Sequence, residues 1–219
     1  MWDWEYTWEI LPILGEASLI TLQATVLGFF MALVLGLILA ILRMAAPKPL
    51  RYLIAGFIEF VRSTPLLIQI FFLYYILPHV GISMGAMLTG VIALGVHYGA
   101  YCSEVYRAGL EGVPKGQWEA STALNLSTWV TFKDIILPQA IPPIVPALGN
   151  YLVALFKETP LLSAIAVLEL MQTAKILGSE SFQYVEPITL VGAFFLVFSL
   201  ISAFLIRRFE RRLNRRVTF

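Results

Sequence analysis

Residues 17–42 form an uncharged stretch that contains only four polar side chains. A helix needs about 20 consecutive apolar residues to cross the hydrocarbon core of a bilayer, so this stretch is long enough to span it with some tilt. Hydrophobic residues make up 59% of the 219 residues and charged ones only 13%, which is far from the balance of soluble globular proteins. The sequence therefore predicts an all-α membrane protein.

Four further apolar stretches predict a total of about five transmembrane helices. They cover roughly residues 52–77, 85–106, 147–156 and 187–206. We expect a kink or break in the second at Pro65, because a proline inside a helix removes a backbone hydrogen bond. Four prolines crowd the start of the fourth. Residues 160–167 are too short to span and predict a re-entrant or interfacial segment. Residues 1–219 are expected to form a single transmembrane domain.

Charge predicts how these helices are oriented. Lysine and arginine lie between the first and second crossings, between the third and fourth, and after the fifth up to Arg215 and Arg216. The opposite loops and the tryptophan-rich residues 2–9 are acidic or nearly uncharged. By the positive-inside rule, the N-terminus lies outside and the C-terminus lies in the cytoplasm. The net charge of +1, with no base-reading motif, predicts no nucleic-acid partner.

The predicted cytoplasmic loop at about residues 110–137 is much longer than the joining of two helices requires. Its pattern predicts a short amphipathic helix over 114–124, a turn at Asn125, and a second helix from about Thr128 with Ser127 as its N-cap. Apolar anchors come from Trp118, Leu124, Trp129 and Phe132. Such an elbow suits docking into a groove on a soluble partner, and it equally suits lying passively at the lipid interface.

The elbow carries a spaced motif that decides between these two interpretations. Its residues are Glu119, Ala120, Ser121, Asn125, Leu137 and Pro138, with Gly116 just before them. This pattern resembles the EAA loop of ABC importer permeases, in which EAA is followed by a glycine and then by I-x-L-P. Ser121 stands in place of the last alanine and Asn125 in place of the glycine. Asparagine tolerates the left-handed backbone that a tight turn requires.

The resemblance extends beyond the elbow. The segment Phe60-Val61-Arg62-Ser63-Thr64-Pro65-Leu66-Leu67 is similar to the F-R-G-T-P-L-L segment of permeases for polar amino acids. Tyr101, Glu104, Arg107 and Gly109 resemble the run that leads into the elbow. The chain is identified as a member of this permease family. The resemblance implies the type I ABC importer fold and a place in the bacterial inner membrane.

The same resemblance implies the partners. These are ABC ATPase subunits gripped by the elbow through Glu119, a second permease subunit that is either a copy or a relative, and an external solute-binding protein. The chain lacks a G-x-x-x-x-G-K-S/T loop for nucleotide phosphates, so ATP and its magnesium ion belong to the separate ATPase, and this chain is neither an enzyme nor the holder of a cofactor. Closure of the ATPase pair would switch the pathway between inside and outside access.

The substrate is expected to be a small zwitterion. Glutamate, glutamine, histidine, arginine and the compatible solute ectoine are all handled by similar permeases, with ectoine as the minority alternative. Pathway candidates are the polar side chains within the predicted spans. They are Glu59, Arg62, Thr64, Gln69, Tyr101, Asn150, Lys157 and Glu158.

The roles of the ionisable candidates stay open at the sequence level. Glu59 and Arg62, three residues apart, can pair with each other, or Arg62 can meet a substrate carboxylate beside a broken helix. Lys157 and Glu158 can reach the outer interface or line a gate. His97 is either a helix contact or a titrating group.

Other classes of membrane protein account for less of the sequence. An intramembrane hydrolase would need a nucleophile and a base on facing helices, and the chain has only two histidines to offer. A channel has no need for an ATPase-gripping elbow. A passive scaffold leaves the motifs unexplained, and ABC exporters of the common type use longer helices that run far into the cytoplasm.

Overall fold

The computed structural model describes residues 2–214, with side-chain surroundings through Arg211. The helices are α1 Trp4–Ala45, α2 Lys48–Ser63, α3 Leu66–Phe71, α4 Ala86–Glu111, α5 Lys115–Ala123, α6 Thr128–Val130, α7 Leu137–Glu158, α8 Leu170–Ser181 and α9 Val185–Asn214. Over this range no strand is present. Four helical segments are long and apolar enough to cross a membrane, and the bent pair of α2 and α3 raises the number to five. The predicted all-α membrane fold with about five crossings is confirmed. Arg215 and Arg216 lie outside the described residues.

The first helix is longer than predicted. It begins at Trp4 because Asp3 acts as its N-cap, with the Asp3 side chain accepting a hydrogen bond from the Tyr6 N–H at 3.0 Å. The acidic, aromatic residues 4–9 therefore belong to the first turns of α1. Asp3 N–H also donates to Glu186 Oε1 at 2.9 Å, which ties this end of α1 to the start of α9.

The second crossing breaks where the sequence predicts it. Helix α2 ends at Ser63, Thr64 and Pro65 are extended, and α3 leaves at a bend of 104°. Proline disfavours a helical conformation in the residue before it, so Thr64 turns out of the helix. Helix α3 continues through a wide π-type turn over Phe72–Ile76 and a 3-10 turn over Leu77–Val80.

The fourth crossing begins among the prolines, as predicted. Helix α7 starts at Leu137 and contains Pro142, Pro143 and Pro146. The second elbow helix is correspondingly short: α6 covers Thr128–Val130 and runs through a π-type turn, Thr131–Ile136, directly into α7. Prolines inside a membrane helix are tolerated where wider turns and neighbouring helices satisfy the freed backbone groups.

The segment after α7 packs part of its surface into the bundle. Residues Thr159–Ile165 form a 3-10 helix in which Leu162 is 0% and Ile165 1% exposed. Helix α8 then follows, which the sequence analysis did not predict. Glu169 caps α8 by accepting the Met171 N–H and the Gln172 N–H at 3.0 and 2.8 Å.

Candidate functional site

A pocket of about 480 Å³ opens where the α2–α3 break faces α4 and the end of α7. Its ionisable and polar lining includes Arg62, Thr64, His97, Tyr101 and Glu158. Four of these five were predicted as pathway residues, and they come from three separate helical segments. The structure therefore brings a cation and a carboxylate into one cavity beside a broken membrane helix.

Arg62 has spare hydrogen-bonding capacity in this pocket. Its guanidinium carbon lies 5.1 Å from the centroid of the Tyr101 ring, and its Nη1 lies 3.6 Å from Glu59 Oε2. Its buried Nε has no hydrogen-bond partner within residues 2–211. A guanidinium carries five N–H donors in a planar fork that matches a carboxylate. The Glu59–Arg62 pair predicted from spacing is present, yet Glu59 is 71% exposed and this contact uses little of the fork.

Glu158 bonds to one of three tyrosines whose rings lie close together. Its Oε2 accepts a hydrogen bond from the Tyr98 hydroxyl at 2.9 Å, which uses one of about four lone-pair sites on the carboxylate. The Tyr98 and Tyr101 ring centroids lie 6.1 and 5.5 Å from that of Tyr151. Aromatic faces and a carboxylate together attract a cation such as an ammonium group. Tyr98 and Tyr151 were not singled out from sequence, because their neighbours lie on other helices.

Gln69 lies behind the pocket and bonds to the helix break itself. Its Nε2 donates to the Val61 carbonyl at 2.8 Å and contacts Thr64 Oγ1 at 2.7 Å, while its Oε1 lies 3.2 Å from His97 Nδ1. Gln69, one of the eight pathway candidates, is therefore not among the residues that line the pocket.

Asn150 and Lys157 lie in a different place. They line a groove of about 360 Å³ between α7 and α9, together with Arg207 and Glu210. Consecutive helix positions are about 100° apart, so Lys157 and Glu158 point to different sides of α7. Four of the eight predicted pathway residues therefore line the pocket and two line this groove, whereas Glu59 and Gln69 line neither.

The elbow presents a polar, exposed helix. Gly116, Glu119 and Ala120 on α5 are exposed, whereas Ser121 is 2% exposed and its hydroxyl donates to the Gln117 carbonyl. Asn125 takes up the predicted left-handed turn with φ 52°.

The apolar anchors of the elbow fall into two groups. Trp118 packs edge-on against Phe132 with centroids 5.3 Å apart, and these two rings attach α5 to the turn before α7. Leu124 and Trp129 are 71% and 73% exposed, and Leu137 and Pro138 are also exposed. Two of the apolar anchors of the elbow thus pack against each other, and the other two are exposed to solvent.

An ion-pair network joins the C-terminal parts of α1 and α4. Arg43 of α1 pairs with Glu104 of α4, Glu104 pairs with Arg107 at 2.6 Å, and Arg107 pairs with Glu111 at 2.5 Å. The spacing of the three α4 residues predicts their pairing. The contact with Arg43 depends on helix packing and has no signal in the sequence.

Comparison with known proteins supports a common origin for this arrangement. Residues 32–215 match the family described as the binding-protein-dependent transport system inner membrane component. A probable amino-acid ABC transporter permease protein, y4tG of Sinorhizobium fredii, is 46% identical over 208 residues, covering 95% of this chain and 90% of y4tG. The L-cystine transport system permease protein TcyB of Bacillus subtilis is 35% identical over 94% of this chain and 88% of its own length.

A solved structure agrees with these relatives. The crystal structure of an amino acid ABC transporter with histidines has a chain that superposes with a TM-score of 0.91 at 33% identity. The match covers 97% of this chain and 99% of that one. The fold is that of type I ABC importer permeases. The chain therefore belongs to the family of inner-membrane components of binding-protein-dependent transport systems, and it is an ABC transporter permease subunit.

Proposed function

We propose that this chain forms the membrane pathway of an importer for polar amino acids, and that the pocket lined by Arg62 and Glu158 is where the substrate rests. The observation that carries the proposal is that a partly unsatisfied guanidinium, a carboxylate and the ring of Tyr101 line one cavity. An amino acid is a zwitterion, so its carboxylate suits Arg62 and its ammonium suits Glu158 and the tyrosine rings. The names of the relatives, which refer to amino acids and L-cystine, support the same substrate class.

ATP hydrolysis belongs to a separate ATPase that seats on the elbow. The exposed face of α5, with Glu119 as its charged contact, meets a groove on the ATPase. Closure of two ATPase subunits draws two elbows together and rocks the helices attached to them, which switches access to the pocket. The packing of Trp118 on Phe132 supports this route, because it fixes α5 to the segment that continues into α7.

A second permease subunit covers the α7–α9 groove. Asn150 and Lys157 are exposed on this face of the chain, and polar groups inside a membrane face a partner or a water-filled path, since exposure to hydrocarbon is costly. The groove would then line the route between the two subunits. An external solute-binding protein delivers the substrate to the side that carries the N-terminus, and the C-terminus lies in the cytoplasm.

The decisive experiment is substrate-stimulated ATP hydrolysis by the reconstituted complex of this chain, its ATPase and its binding protein. Glu119→Ala should reduce the stimulation by about tenfold or more, because it removes a charged group at the interface. Glu5→Ala removes an exposed carboxylate at the other end of the molecule and serves as the matched control. Screening glutamate, glutamine, histidine, arginine, cystine and ectoine in the same assay identifies the substrate. If no ATPase associates with the wild-type chain, the proposal is wrong.

A further inference from the structure

The broken second crossing leaves backbone carbonyls that need hydrogen-bond donors inside the membrane. The last turn of a helix has carbonyls without partners in the helix, and no water is available in hydrocarbon to satisfy them. The Thr64 hydroxyl donates to the Phe60 carbonyl at 3.0 Å. The Gln69 amide nitrogen, from the far side of the break, lies 2.8 Å from the Val61 carbonyl oxygen and 3.2 Å from that of Thr64. Gln69 therefore ties the end of α2 to the start of α3.

The other end of the Gln69 amide is held by α4. Gln69 Oε1 lies 3.2 Å from His97 Nδ1. An amide oxygen only accepts hydrogen bonds, so His97 carries its hydrogen on Nδ1. The opposite amide orientation would place Gln69 Oε1 against two carbonyl oxygens. The donor on His97 thus selects the orientation in which Gln69 can bind the break.

Helix α4 holds the near side of the break as well. Tyr101 lies one turn after His97, and its hydroxyl donates to the Arg62 carbonyl at 3.3 Å. The ring of the same tyrosine lies 5.1 Å from the guanidinium carbon of Arg62. His97, through Gln69, and Tyr101 therefore bind the two sides of one helix break. Arg62, the cation of the pocket, lies at this break.

We propose that Gln69 and His97 are positioning residues of the transport site: the His97 Nδ1–H orients the Gln69 amide, which binds the carbonyls of the break and sets where Arg62 faces the pocket. This inference rests on the proposed function. Neither residue needs to touch the substrate. The sequence analysis placed Gln69 among the pathway residues and left His97 open between a helix contact and a titrating group.

The competing explanation is that His97 only fills space. Its ring packs 5.5 Å from Tyr98 and 5.3 Å from Tyr101, and the residue is 7% exposed. A pair of substitutions separates the two explanations. His97→Phe keeps a ring of similar size and removes the donor. His97→Asn loses the ring but can place its Nδ2–H where the histidine Nδ1–H was.

The measurement is the dissociation constant of the purified permease–ATPase complex for the radiolabelled amino acid that the wild-type complex transports best, together with the melting temperature of each complex. His97→Phe should weaken binding about threefold to tenfold, the worth of one hydrogen bond, and His97→Asn should stay within about twofold of wild type. Gln69→Glu, which has the same shape but turns an oxygen toward the Val61 and Thr64 carbonyls, should weaken binding at least as much as His97→Phe.

The reverse order, with His97→Phe binding normally and His97→Asn binding weakly, overturns the inference in favour of ring packing. Equal losses in both variants also overturn it. If His97→Phe fails to assemble, His97→Asn alone decides, since a loss of about tenfold there contradicts a role for the donor. Absence of amino-acid binding and transport in the wild-type complex would instead refute the proposed function.

Discussion

Glu169 shows how one buried carboxyl group links a local helix start to the stability of the whole bundle. The residue is 0% exposed, and its carboxylate accepts the backbone N–H groups of Met171 and Gln172 at the start of α8. The neighbouring Leu170 N–H donates to Thr21 Oγ1 of α1 at 3.1 Å. Burial disfavours the charged carboxylate more than these two N–H bonds and Lys175 favour it, so the pKa of Glu169 is raised to about 7.

The raised pKa predicts how stability depends on pH. The folded chain binds a proton at Glu169 up to about pH 7, whereas the unfolded chain releases it near the usual pKa of 4.5. Stability should therefore fall as the pH rises from 4.5 to 7 and level off above that. The melting temperature in detergent should drop by about 4 °C or more across this window. Glu169→Gln keeps an acceptor oxygen for one of the two N–H groups and has no titrating proton, so it should remove this pH dependence of the melting temperature. An unchanged pH profile in the variant would contradict the assignment.

At the scale of elements, the close approach of α1 and α4 holds the core of the bundle. Gly36 of α1 faces α4 so closely that an added Cβ would lie 2.7 Å from Cys102 Cβ and 2.9 Å from the Gly99 carbonyl oxygen. The hydrophobic effect contributes little to the association of helices that are already in lipid. Such helices associate through close packing, which small residues allow because the two backbones can approach each other.

This contact predicts a marked difference between two glycine substitutions. Gly36→Ala forces α1 away from α4 and should lower the melting temperature of the purified chain by about 4 °C or more. Gly192→Ala on α9 is the matched control, because an added Cβ there has no atom within 4 Å. Alanine is the better helix former, so the control should match or exceed the wild type. Equal melting temperatures for the two variants would show that α1 and α4 can separate freely.

The elements that sequence could predict are those encoded by local patterns. The crossings follow from apolar length, the break from Pro65, and the elbow turn from Asn125 and Ser127, which are local signals. Helix α8 escaped prediction because its short span mixes polar and apolar residues and is ordered by a cap and a contact with α1. The role of Gln69 escaped for a similar reason, since its acceptors and His97 come from different segments.

At the scale of the whole molecule, α4 connects the pocket to the elbow. His97 and Tyr101 hold the broken helix, and Glu104 and Arg107 of the same helix form the ion-pair network with α1. Ten residues, or about 15 Å of helix, separate Tyr101 from the end of α4 just before the elbow. When the elbow moves, a rigid helix of this length can transmit the movement to His97 and Tyr101, which position Arg62.

An ATPase can bind the elbow only if the elbow lies in the cytoplasm, which is the side opposite the predicted position of the N-terminus. Cysteine labelling tests that orientation. Cys102 is 0% exposed, so Cys102→Ser provides a background without a reactive thiol. Gln183→Cys lies in the exposed turn before α9, on the side where Asp3 bonds to Glu186. Ala45→Cys lies at the other end of α1, about 60 Å away along the helix axis.

A membrane-impermeant maleimide added to intact cells should label Gln183→Cys and not Ala45→Cys, which should react only after the membrane is opened. The positive-inside rule predicts this result, because basic residues follow α1 at that end. Uptake by each variant confirms that the labelled chains are assembled. Labelling of Ala45→Cys in intact cells would place the elbow outside, where no ATP-driven partner could reach it, and the coupling of α5 to an ATPase would have to be abandoned.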